Sequence, residues 1–251
     1  MFASIKNKKI LITGASSGIG RCTAELLASY GAVCGVHYCN NEDGAKAVVD
    51  SIRSQGGVSE IFKEDLSVNV SHSKLIQSFV NTYGKIDILV NNAGGIFGKI
   101  DFLRLDEESW NKTYHLNVTA PFFLAQKAIP HMKECNGGKI INISSISAKY
   151  GGTNVSLHYG SAKSALETVT IGLAKLCAKD RILVNSIRCG FIDTGFHAKI
   201  KWSKEEILER IKQIPLGRSG KPIDISRLIL FLASEAGNHI TGENFTVSGG
   251  D

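Results

Sequence analysis

No CxxC pair occurs in this sequence, no apolar run is long enough to span a bilayer, and no Pro/Gly/Ser linker, internal repeat or low-complexity tract interrupts it. Each absence removes a class of protein. The six cysteines, at 22, 34, 39, 135, 177 and 189, have neither the spacing of a disulfide framework nor that of a zinc site, and read as reduced thiols with no metal called for. Apolar runs such as Leu228 to Ala233 are far too short for a membrane helix. Lys6, Lys8 and Lys9 are not followed by the apolar stretch and cleavage site of a secretion signal, so a cytoplasmic protein is expected. The net charge of +6 comes from Lys and Arg scattered along the chain. That predicts a solvated basic surface drawing anionic small molecules, not a nucleic-acid-binding face.

What is present is alternation. Short apolar runs at Lys9–Thr13, Val33–Tyr38, Val58–Lys63, Ile86–Val90, Lys139–Ser144, Ile182–Ile187 and Asn244–Val247 read as strands buried on both faces. Between them lie amphipathic stretches near 18–30, 42–55, 70–83, 106–134, 157–179, 203–213 and 222–234, with Asp106 and Pro222 as helix starters. This βαβα rhythm predicts an α/β fold: a three-layer, doubly wound parallel sheet, Rossmann-like, with helices on both faces. Residues 1–251 read as a single domain. The segment from Phe191 to Gly220 breaks the rhythm with a polar helix, where a substrate lid would sit.

Thr13-Gly14-Ala15-Ser16-Ser17-Gly18-Ile19-Gly20 follows the first strand and opens the first helix. Its glycines permit a tight turn and close approach of backbone to a pyrophosphate, with helix N–H groups and dipole aimed at the anion. Gly14, Ser16, Ser17, Gly18, Ile19 and Gly20 are therefore candidate cofactor contacts, although the spacing is GxxxGxG and not GxGxxG. Farther on, Tyr159 and Lys163 stand four residues apart, one helical turn on the same face. A phenol is a poor base at neutral pH, and a neighbouring cation is expected to favour its ionised form.

Together these motifs resemble the short-chain dehydrogenase/reductase family, and the likeness extends over the whole chain. The resemblance implies hydride transfer between NAD(P)(H) and a carbonyl or alcohol. It implies that Asp65 and Leu66 contact adenine, that Asn92, Ala93 and Gly94 of the Asn91-Asn92-Ala93-Gly94 run lie against the cofactor, and that Ile192 and Thr194 meet the nicotinamide carboxamide. It further implies a catalytic set of Asn117, Ser145, Tyr159 and Lys163, with Tyr159 as proton donor, Ser145 on the substrate oxygen, Lys163 on the ribose hydroxyls and Asn117 in a proton relay. Ser144 is the alternative to Ser145.

Departures carry information too. Cys189 stands where the family has proline after the sixth strand, and reads as an inert buried thiol. At the end of the second strand, Tyr38 occupies the place of the acid that holds the ribose 2′-OH of NAD. With no acid there, and Asn40 and Asn41 able to donate to a phosphate, NADP(H) is favoured over NAD(H); His37 reads as a packing residue.

The pattern is most similar to 3-oxoacyl carrier-protein reductases and their sugar- and polyol-oxidising relatives. Asn136 and Asp180 replace the basic residues that carrier-protein reductases present, so acyl carrier protein is a doubtful partner. Phe97, Tyr150, Phe196, His197 and Trp202 are candidate liners of a substrate cleft. Three functions remain open: a carbonyl reductase acting on an acyl thioester or small ketone, an alcohol or polyol dehydrogenase, and a non-catalytic dinucleotide sensor, which the intact catalytic set argues against. Apolar excess in Asp106–Glu134 and Leu157–Lys179 predicts a homotetramer packed through those helices.

Overall fold

The computed structural model describes residues 5–196 and 202–251. Seven strands, β1 (Lys9–Ile12), β2 (Val33–Tyr38), β3 (Val58–Lys63), β4 (Ile88–Asn91), β5 (Gly138–Ser145), β6 (Ile182–Cys189) and β7 (Asn244–Val247), form one parallel sheet in the order β3-β2-β1-β4-β5-β6-β7. The main helices are α1 (Gly18–Ser29), α2 (Glu42–Ser54), α3 (Ser71–Tyr83), α4 (Glu107–Tyr114), α5 (Ala120–Glu134), α6 (Ser147–Tyr150), α7 (Leu157–Cys177), α8 (Lys204–Lys212) and α9 (Pro222–Ala233). The doubly wound fold expected from the sequence is the fold observed.

Strand periodicity explains the two cores. Ile10 and Ile12 face Ala24 and Leu27 of α1 and Ile225 and Ile229 of α9, while Leu11 between them faces Phe79 of α3, Leu124 of α5 and Ala174 of α7. A Leu or Ile buried this completely contributes roughly 1.5–3 kcal/mol relative to exposure. The continuous apolar run predicted a β3 buried on both faces, but β3 is a sheet edge: Val58 is 54% exposed. An edge strand needs only one covered face.

Strand order reverses between β1 and β4, and the crevice outside the carboxyl ends of these strands is where such sheets bind ligands. The single helix expected over 106–134 is interrupted there. Asp106 caps it as foreseen, accepting from Ser109 N–H at 2.7 Å, but His115–Thr119 winds as a π-helix between α4 and α5. The excursion after β6 is closed at its base, where Ile192 bridges to Gly220 and Asp193 N–H donates to Gly220 O at 2.8 Å. Within it, Ser203 and Glu206 form the capping box of α8, which is tied to the body by Lys99–Glu206 at 2.9 Å and by an Arg210–Asp251 ion pair.

Candidate active site

The glycine-rich turn owes its shape to glycine and to three polar residues behind it. Gly14 and Gly18 adopt φ of +62° and +57°, and a Cβ on Gly20 would come within 2.5 Å of Gly14 O, so Gly20 serves close packing behind the cleft. Thr13 Oγ1 accepts the N–H groups of Asn92 and Ala93, both at 2.9 Å, and Asn92 Nδ2 returns to Thr13 O and Gly14 O at 2.8 and 3.0 Å. His37 holds the turn from β2: Nδ1 accepts from Gly14 N–H at 3.0 Å, its carbonyl accepts from Ala15 N–H at 2.8 Å, and Nε2 donates to Glu64 O at 3.0 Å. Burial pushes its pKa down to about 4, so the ring is neutral, as this hydrogen-bond pattern requires. His37 is thus more than packing, and Thr13 was not among the expected contacts; their partners lie far away in sequence.

A cleft of roughly 960 Å³ opens from this turn. At the end beside the turn lie Ser16, Ser17, Gly18, Ile19, Tyr38, Asn40, Asp65 and Leu66. Asn41 is committed to structure, capping α2 through Oδ1 (3.2 Å from Gly44 N) and giving Nδ2 to Ser16 O at 3.3 Å, whereas Asn40 is exposed on the wall. The nearby acid Glu42 is engaged by Lys46 at 2.7 Å and by the Tyr38 hydroxyl, which hold its carboxyl below the usual range. Ala93, Gly94, Ile192 and Thr194 continue the wall, with Thr194 packed against Gly18.

The other end gathers Ser145, Tyr159 and Lys163. Tyr159 hydrogen-bonds Ser145, while the Ser144 hydroxyl points away and donates to Glu167 Oε1 at 2.7 Å. Lys163 Nζ donates to Ile143 O at 2.8 Å and sits 5.7 Å from the Tyr159 ring centroid. The expected lowering of the phenol is not seen. Burial pushes Tyr159 up to about 12 against the effect of the Ser145 hydrogen bond, and pulls Lys163 down to about 8 against Cys189 and Glu167. Desolvation dominates both shifts because the two groups are enclosed together. The Cys189 thiol beside them is pushed up to about 12 by burial and stays protonated.

Asn117 lies behind the cleft wall in the π-helix. Its Nδ2 donates to Gly95 O at 2.6 Å and Thr113 O at 2.7 Å, and Oδ1 accepts from Gly95 N–H at 3.2 Å. A Cβ on Gly94 would meet Asn117 Oδ1 at 2.8 Å and Lys163 Nζ at 3.1 Å, so glycine alone keeps this passage clear. Phe97, Tyr150, Phe196 and Trp202 all line the cleft; His197 lies outside the described residues. Among the described residues, no group of three or more His, Cys, Asp or Glu is placed to hold a metal ion, and no helix is long and apolar enough to cross a membrane.

Comparison with known proteins agrees with this geometry. The profile of a family described as Enoyl-(Acyl carrier protein) reductase, adh_short_C2, matches residues 14–251. A 3-oxoacyl-(acyl-carrier-protein) reductase of Chlamydia pneumoniae is 35% identical over 250 residues, covering 100% of this chain and 99% of that one. Among solved structures, a 7α-hydroxysteroid dehydrogenase complexed with NADH and 7-oxo glycochenodeoxycholic acid superposes with a TM-score of 0.92 at 34% identity, covering 99% of this chain and 95% of that one. The angucycline C-6 ketoreductase LanV with bound NADP gives 0.90 at 32%, covering 98% and 96%. With sequence and fold agreeing along the chain, the protein belongs to the short-chain dehydrogenase/reductase family, oxidoreductases that act on hydroxyl and carbonyl groups.

Proposed function

We propose that this protein is an NADP(H)-dependent reductase that turns a carbonyl, carried on a 3-oxoacyl thioester or small ketone, into an alcohol, with NAD(H) as the weaker coenzyme. One observation carries the reading: Ser145, Tyr159 and Lys163 converge at one end of the cleft whose other end is the glycine-rich turn. The residues fit a dinucleotide, because Ser16, Ser17, Gly18 and Ile19 at the start of α1 and Gly94 at the end of β4 line one continuous wall, on which Gly94 carries no side chain to press on Asn117 and Lys163. The nicotinamide, when bound, supplies the hydride.

The chain's own groups handle the oxygen and the proton. Tyr159 holds its phenolic proton at neutral pH and gives it to the carbonyl oxygen as the C=O π pair moves there. Ser145 Oγ, already in contact with Tyr159, orients that oxygen. Lys163 would hold the ribose hydroxyls of the bound coenzyme and return a proton to the phenolate, with Asn117 bracing the relay from behind Gly94. Preference for NADP(H) is supported by Tyr38 in the acid's place, by Asn40 on the wall and by the ion pair that ties Glu42 to Lys46.

Likeness to a hydroxysteroid dehydrogenase and the aromatic wall of Phe97, Phe196 and Trp202 favour a second reading, oxidation of an alcohol by the same residues. We further take the protein to be a cytoplasmic homotetramer of one-domain subunits, with 191–220 as lid. Assaying ketones with NADPH and NADH, and alcohols with NADP and NAD, decides between the two directions. Tyr159→Phe should keep coenzyme binding and lose about a hundredfold or more in kcat; turnover equal to wild type would remove Tyr159 from the mechanism.

A further inference from the structure

Three consecutive residues at the end of β5 are each fastened to α7. Ile143 O accepts from Lys163 Nζ at 2.8 Å, Ser144 Oγ donates to Glu167 Oε1 at 2.7 Å, and Ser145 bonds Tyr159. Tyr159, Lys163 and Glu167 are successive turns of one helix face, so they meet the strand as a row. Only Glu167 in that row has no part in the proposed reaction. It is buried, which is costly for a carboxylate, and the cost is met by Arg188 of β6: Nε donates to Oε1 at 2.9 Å, Nη2 donates to Oε2, and Nη1 reaches Thr246 Oγ1 at 3.3 Å.

We infer that Glu167, clamped by Arg188, is a positioning residue for the reaction proposed above, holding Lys163 as the ammonium ion and fixing the Ser144–Ser145 strand end against Tyr159. The geometry leaves few other groups to do this. Among the described residues, the titratable or charged groups facing Lys163 are Tyr159 and Glu167 on its own helix and Cys189 on β6; Asn117 and the Ile143 carbonyl are neutral. Tyr159 and Cys189 are held protonated by burial, whereas Glu167 is gripped by Arg188 as an ion pair and is the charged partner among the three. Arg188 keeps that charge in place with two parallel bonds, and the same carboxylate orders Ser144, one residue from the group that touches Tyr159.

The inference rests on the reductase reading, so two measurements separate them. In Glu167→Gln the alkaline limb of kcat, where Lys163 loses its proton, should move about one pH unit lower with KM for the ketone within about twofold. NADPH binding, followed by its fluorescence over the same pH range, should show the same displacement without any turnover. Ser144→Ala should leave the limb in place and lower kcat severalfold, since it cuts the tie and keeps the charge. If Glu167→Gln does not fold, the apolar pair Glu167→Leu with Arg188→Met replaces it, and the limb should again move down. A limb and a kcat that match wild type, with only the melting temperature lowered, would overturn the inference. Absence of wild-type turnover would instead count against the reductase reading, leaving the NADPH titration to judge Glu167.

Discussion

His37 Nδ1 takes the N–H of Gly14 at 3.0 Å, so the first glycine of the glycine-rich turn is held by a side chain of the neighbouring strand. Two of the turn's N–H groups, Gly14 and Ala15, are spent on His37 and are not free for a phosphate. His37→Phe should therefore loosen the turn and weaken coenzyme binding about tenfold, as loss of one buried hydrogen bond allows. Equal dissociation constants for the variant and wild type would leave His37 a mere filler.

The same histidine makes stability depend on pH. Its folded pKa, near 4, lies below the usual 6.5, so between these values the unfolded chain binds a proton that the folded chain refuses. Stability from this group is full above about pH 6.5 and declines toward pH 4, by about 3 kcal/mol at most. Urea unfolding at pH 7 and pH 4.5 should show a smaller drop for His37→Phe than for wild type; parallel drops would contradict the assignment.

Gly94→Ala places a methyl group against Asn117 Oδ1 and Lys163 Nζ. Neither can retreat easily, since Asn117 is bonded to Gly95 and Thr113 and Lys163 to Ile143. A loss of at least about 1 kcal/mol in stability and a marked fall in kcat are expected. Thermal melts and single-turnover assays check both, and an active, equally stable variant would argue against the passage.

Tyr38→Asp introduces the negative charge that the second strand lacks. It should shift preference towards NADH through repulsion of the 2′-phosphate and, beside Glu42, raise the dissociation constant for NADPH by about tenfold or more. Titrating both coenzymes against both proteins gives the answer directly.

Phe123 and Ile171, on α5 and α7, are 37% exposed, and Leu176 on α7 is 78% exposed. Such a face fits burial between subunits, and light scattering at micromolar concentration should give a mass near four times 27.1 kDa. A particle of one chain's mass refutes the tetramer.

Much of this site was legible in the chain. The glycine-rich turn and the Tyr159–Lys163 pair are local patterns whose spacing fixes their geometry, and alternating apolar runs foretold the sheet. What escaped detection is long-range. Thr13 meets Asn92 and Ala93, and Glu167 meets Arg188, only after strands are laid side by side. The phenol's upward shift was hidden for a related reason: spacing reveals the neighbouring lysine but not the enclosure that shuts water away from both.

The π turn around Asn117 behaves as one surplus residue stored in a helix. Delete it, and the coil can relax to ordinary winding, which would please the backbone; yet everything downstream would turn by about 100°. Leu124 and Ala128 would then swing off the sheet, and Asn117 would face away from Gly95. The irregularity is therefore locked in from both ends, by the core on one side and the proposed relay on the other, and a deletion scan across 113–120 should find no tolerated position.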